Sequence, residues 1–138
     1  MADSRAPFAG KKTIRVLIVD DQQSVRRGLH IRLSLEPEVE IIGEARDGAE
    51  AISLASSLQP DVVLMDARMP GMDGIEATAA LRAVARESAV VILSLDDDAK
   101  TRTRAKEAGA VAFVAKGRME EELLAVVRRA ALERPEGA

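Results

Sequence analysis

Short apolar runs and helix-like patterns alternate along almost the whole chain, and this alternation limits the possible folds more than any other feature. The runs stand at 14–20 (IRVLIVD), 39–45 (VEIIGEA), 61–66 (DVVLMD), 89–95 (AVVILSL) and 111–115 (VAFVA). Helical periodicity fills 22–35, 48–58, 74–86, 97–108 and 119–133. Strands alternating with helices in this way predict an α/β domain on a parallel sheet. The first, third, fourth and fifth runs are apolar on both faces, as strands covered from both sides are. The second mixes Glu40 and Glu44 with Val39, Ile41 and Ile42, which predicts an edge strand. The domain expected is 14–133, between a flexible tail at 1–13 and a frayed end at 134–138.

Composition removes several functions. Net charge is −3, so the whole-chain balance gives no argument for nucleic acid or a membrane surface. The runs are too short to span a bilayer. There is no cysteine, hence no disulfide framework or thiolate site, and a cytoplasmic setting is expected. Phe8 and Phe113 are the only aromatic residues, which argues against stacking platforms for single strands.

The helices carry their own signals. Val25, Leu29 and Leu33 form one stripe of the first helix, with Ile31 and Leu35 opposite. Leu35 either tucks under the next loop or belongs to a small partner-facing patch. The fourth helix has Ala99, Ala105 and Ala108 as its apolar residues, and its anchoring should be weak. The preceding LDDDAKTRTRAKE has acids at calcium-loop spacing, but Thr101 stands where the turn needs Gly, so these acids are expected to cap the helix. Gly109 is a predicted C-cap. The last helix spreads Met119, Leu123, Leu124, Val126, Val127, Ala130 and Ala131 over a wide arc, for core packing or for a second copy. His30, the only histidine, lies away from the strand ends and is not expected to be catalytic.

The strand ends hold the chemistry. Run one closes in Asp20-Asp21, run three in Asp66; run four carries Ser94, and Lys116 follows run five. Ligands of open parallel sheets bind beyond the carboxyl ends of the strands, at a switch point in strand order. In an order 2-1-3-4-5, Asp20, Asp21 and Asp66 would converge there, with Ser94 and Lys116 opposite. Adjacent carboxylates repel by about 4 kcal/mol at 4 Å and an effective dielectric near 20. Mg²⁺, which favours one or two carboxylates plus phosphate oxygens, would relieve them. A Lys and a hydroxyl nearby suit a phosphoryl group, and an Asp can be its acceptor. Taken singly, each residue has a plain alternative: Asp21 as an N-cap, Asp66 as a turn stabiliser, Lys116 as a solvated surface lysine.

With these residues in place, the segments VLIVDD, LMDARMPGMDG, VVILSL and AGAVAFVAKG resemble the receiver domain of two-component response regulators over 14–133. The segment VRRGLHIRL resembles the NarL/FixJ-type subfamily, whose receivers precede a helix-turn-helix domain. The resemblance implies a flavodoxin-like doubly wound sheet and Asp66 as phosphoacceptor. It implies Asp21 as direct Mg²⁺ ligand, Asp20 acting mainly through water, and the backbone carbonyl of Arg68 completing the site. Ser94 is similar to the switch hydroxyl, Lys116 to the phosphate-binding lysine and Phe113 to the aromatic whose rotamer follows activation. The implied partners are a sensor histidine kinase and a second copy, in a stand-alone receiver or in the front part of a DNA-binding regulator, with no nucleic acid contacted by this chain itself. Its character is a switch with slow self-dephosphorylation.

The chain departs from the pattern in places. Lys116 is followed by Gly117, where many receivers have Pro. Leu95 follows Ser94 where a smaller residue is common, and its bulk is expected to restrain small phosphodonors. Other classes stay open. A haloacid-dehalogenase-like phosphatase would want an acid where Arg68 stands, a flavodoxin-like cofactor binder a phosphate-cradling loop where DDQQ stands, and a pseudo-receiver would not be phosphorylated at all.

Overall fold

A computed structural model describes residues 13–133. The expected tails lie outside the described residues, except Thr13, whose hydroxyl donates to Glu40 Oε1 at 3.2 Å. The elements are β1 (Ile14–Val19), α1 (Gln23–Ser34), β2 (Val39–Ala45), α2 (Gly48–Leu58), β3 (Val62–Asp66), α3 (Gly74–Val84), β4 (Ala89–Ser94), α4 (Ala99–Ala108), β5 (Ala112–Ala115) and α5 (Met119–Leu132). A short 3₁₀ turn at Lys116–Arg118 leads into α5. The five strands are parallel, in the order β2-β1-β3-β4-β5.

Strand alternation divides the core in two. Val16, Ile18, Val62, Leu64, Val91 and Leu93 face α1 and α5, meeting Leu29, Leu33, Leu123 and Val127. Leu17, Val19, Val63, Met65, Val90 and Ile92 face the other way, meeting Ala51, Ala55, Ile75, Leu81 and Ala105 of α2, α3 and α4. The central strands β3 and β4 are buried at every position, and β2 is an edge, as its glutamates required. The fifth run differs from expectation. It is the opposite edge, and only Val114 is fully buried. It lacks a further strand beside it and lies under the thinly packed α4.

Helix ends follow local chemistry. Asp47, Asp73 and Asp98 each accept from the backbone N–H three residues on, capping α2, α3 and α4. At α3 the cap is reciprocal, because Glu76 also accepts from the Asp73 N–H. Gly109 closes α4 at φ +112°, as expected from sequence. Helix α4 buries Ala105 alone. Leu35 is 72% exposed and Ile31 is 59% exposed, so Leu35 does not tuck under its loop and the pair forms an apolar patch on α1. The broad arc of α5 is used mainly by the core: Leu123, Val127 and Ala130 are buried, with Met119, Leu124, Val126 and Ala131 packed partly against them.

Candidate functional site

The carboxylates meet at the end of the sheet because β1 and β3 are neighbours there, Val19 opposite Met65. Carboxylate oxygens of Asp20, Asp21 and Asp66 lie within 4.8 Å of one another. The two adjacent acids diverge. Asp20 is 1% exposed and accepts from the Gln22 N–H at 2.9 Å, while Asp21 is exposed. Lys116 enters from the end of β5, its Nζ 3.0 Å from Asp66 Oδ1 and 3.3 Å from Asp20 Oδ2. Strand parity explains this grouping. Asp66 follows Val62 and Leu64, and Asp20 follows Val16 and Ile18, on the α1/α5 side of the sheet; Ser94 follows Val90 and Ile92 on the other.

Burial pushes the Asp66 carboxyl above the usual carboxylate range, the Lys116 hydrogen bond opposes this, and the charge of Asp20 adds to it. Burial also works to lower the Lys116 ammonium, but Asp66 and Asp20 outweigh it and hold it above its ordinary value. One cation thus faces three carboxylates, an excess of negative charge. All-oxygen donors within a few ångströms, one of them open to solvent, fit a hard divalent cation such as Mg²⁺.

The rim is built from charged pairs. Ser94 is buried, and its Oγ accepts from the Asp96 N–H at 3.0 Å. Its cleft is lined also by Arg68, Met69, Asp73, Thr101 and Arg104. Arg68 extends to Asp96 (2.5 Å) and Arg104 to Asp73 (3.8 Å), so two ion pairs join the β3–α3 loop to the α4 side. The Arg68 N–H lies 3.4 Å from Asp66 Oδ1. Phe113 is half-buried under Arg102, at 4.5 Å from ring centroid to guanidinium carbon. Leu95 is 80% exposed. Its bulk stands in solvent instead of packing on Ser94, which removes the expected crowding. Of the acids before α4, Asp98 is the cap expected from sequence, whereas Asp96 and Asp97 pair with Arg68 and Arg102. His30 stands against Glu44 at 3.1 Å, outside the carboxylate cluster.

Sequence reasoning missed two supports of the site. Arg26 donates to the Asp20 carbonyl at 2.7 Å, fixing the turn after β1. Gly74 sits so close to β3 that a Cβ there would meet the Asp66 carbonyl oxygen at 1.9 Å. A glycine immediately after the Asp73 cap was the available signal for the second. The first depends on the fold.

The model of the response regulator receiver domain matches residues 16–128. The chain is 43% identical over 123 residues to the transcriptional regulatory protein LiaR of Bacillus subtilis, covering 88% of this chain and 58% of that protein. It is 42% identical over 136 residues to a protein-glutamate methylesterase/protein-glutamine glutaminase of Caldanaerobacter subterraneus, covering 91% of this chain and 37% of that one. The chain thus spans little more than half, or less, of these relatives. Among solved structures, the signal receiver domain of the response regulator NarL from Mycobacterium tuberculosis superposes with a TM-score of 0.83 at 36% identity, covering 90% of this chain and all of that one. Fold, matched segment and NarL-type relatives agree, and the chain belongs to the response regulator receiver domain family of two-component signalling.

Proposed function

We propose that this chain accepts a phosphoryl group on Asp66 from a sensor histidine kinase, with Mg²⁺, and relays the event through α4 to another protein or domain. The observation that carries this is the buried Asp66 carboxylate, 3.0 Å from Lys116 Nζ and grouped with Asp20 and Asp21. An Asp66 oxygen attacks phosphorus as the phosphohistidine P–N bond breaks, and the leaving imidazole nitrogen takes a proton. Lys116 neutralises one phosphoryl oxygen and the Ser94 hydroxyl donates to another. Bound at Asp21, Asp66 and the Arg68 carbonyl, with Asp20 acting through water, Mg²⁺ would supply charge neutralisation. Water later attacks phosphorus, the P–O bond to Asp66 breaks, and inorganic phosphate leaves. The chain is a switch in this reading, not a turnover enzyme.

A cytoplasmic setting and pairing with a second copy belong to the same proposal. Among the described residues no helix is long and apolar enough to cross a membrane. A DNA-binding output is a further part of it, supported by the regulators among the relatives. A dehalogenase-type phosphatase is disfavoured because Arg68, where an acid would be needed, pairs with Asp96. Intact mass after acetyl phosphate and Mg²⁺ tests the proposal. One phosphoryl adduct is expected on the parent and none on Asp66→Asn; no adduct on the parent, with phosphorylated kinases also tried, overturns it.

A further inference from the structure

Phe113 and Ser94 share one face of the sheet, because Phe113 pairs with Ile92 and Ser94 with Ala115. They nevertheless open into different clefts. Ser94 lines the one between the β3–α3 loop and α4, whereas Phe113 lines one between α4 and β5 with Ala105 and Lys106. What lies over the ring is Arg102, 4.5 Å from its centroid. Arg102 is itself braced, its Nε donating to Asp97 Oδ1 at 2.6 Å. Asp97 lies in the short loop that begins after Ser94. A continuous set of contacts therefore runs from the end of β4, through one guanidinium, to the ring on β5. A cation is attracted to the negative face of an aromatic ring, so any rotamer that carries the ring out from under Arg102 gives up that contact. Helix α4 buries only Ala105, and the half-buried ring packs on the core around it with Arg102 over its face.

We infer that Arg102, braced by Asp97, is a positioning residue that holds Phe113 in its resting rotamer and so sets the fraction of molecules poised for phosphorylation. This rests on the phosphoacceptor reading above. A ligand that requires a minor conformer binds more weakly in proportion to that conformer's population. An exposed cation–π contact corresponds to about a two- to fivefold change in such a population.

The composition supplies a clean probe. The chain has two phenylalanines and neither tyrosine nor tryptophan, so in a Phe8→Leu background Phe113 is the sole phenylalanine ring. Side-chain three-bond couplings of Phe113 report its rotamers without any ligand, and titration with beryllofluoride and Mg²⁺ reports affinity for a phosphoryl mimic. Arg102→Gln should deplete the resting rotamer and tighten beryllofluoride binding about threefold. Asp97→Asn should move both in the same direction by less, and Arg102→Lys should fall between parent and Arg102→Gln. Unchanged rotamers in Arg102→Gln, or weaker binding of the mimic, would overturn the inference, even if its melting temperature falls. A parent that neither binds beryllofluoride nor takes a phosphoryl group sinks the functional reading instead, while the ligand-free couplings still decide whether Arg102 positions the ring.

Discussion

The α1/α5 layer and the α4 segment are held in different ways. Towards α1 and α5, Leu29, Leu33, Leu123 and Val127 are buried against the strands, and Asp20, Asp66 and Lys116 come together at the end of that layer. In the α4 segment, the helix contributes one buried alanine with Ala108 partly packed beside the core, and charged side chains add to it: Arg68 with Asp96, Arg102 with Asp97 and Phe113, Arg104 with Asp73. Apolar burial is worth roughly 1.5–3 kcal/mol per large side chain. An exposed ion pair is worth about 0.2–1 kcal/mol and falls with salt. A chemical site is thus fixed on a stiff layer, beside a segment that small energies can move.

The largest effect expected on this contrast comes from the core. Leu64→Ala, at a fully buried position of β3, should cost about 3 kcal/mol in urea unfolding. Ala105→Gly in α4 should cost about 1 kcal/mol. Equal losses would erase the distinction between the two regions.

Gly74→Ala tests how tightly the stiff layer holds Asp66. Its Cβ would displace the Asp66 carbonyl, so about 1–3 kcal/mol of stability should be lost, with a marked fall in acetyl-phosphate labelling. Gly28→Ala is the control: nothing lies within 4 Å of the added carbon in α1, and a gain of about 0.5–1 kcal/mol is expected. Normal labelling by Gly74→Ala would show that the loop after β3 is not rigid.

Asp66 gives a pH signature. Its folded carboxyl titrates above its ordinary value, so ionising it opposes folding. That penalty is complete above the raised pKa and is relieved as pH falls through it towards 3.8. Metal-free Asp66→Asn should therefore be more stable than the parent at pH 7, with a difference that shrinks in acid. Urea midpoints across that range measure it, and a gap that widened on acidification would contradict the sign.

Salt gives the smallest and most local effect. Raising ionic strength should speed amide exchange in α4 a few-fold while the β3 amides hold steady, since exposed pairs are screened and apolar burial is not. A uniform response would place both regions on one footing.

Much of this was legible in the residues themselves. Alternating runs and helical stripes specified five strands and five helices, because burial imposes a period of two on a strand and near four on a helix. The glutamates of β2 marked an edge, and the acids before α4 marked a cap. The helical pattern runs two residues past the C-terminal end of α3, and at α4 it starts two residues early because Asp98 caps the helix in extended conformation. Leu95 was read by its size, but its direction mattered: it points into solvent beside an inward Ser94.

By itself the sequence determined the element order, the stiff central strands and which polar residues stand at the strand ends. Which of them touch was decided only by tertiary structure. Lys116 reaches Asp20 and Asp66 because β1, β3 and β5 end at the same edge of a twisted sheet with matching side-chain parity. The pairs that tie down α4 and cover Phe113 likewise join separate segments. Local preferences act over a few residues along the chain, whereas a charge or a ring finds its partner through space, once burial of the apolar faces has fixed the strand order.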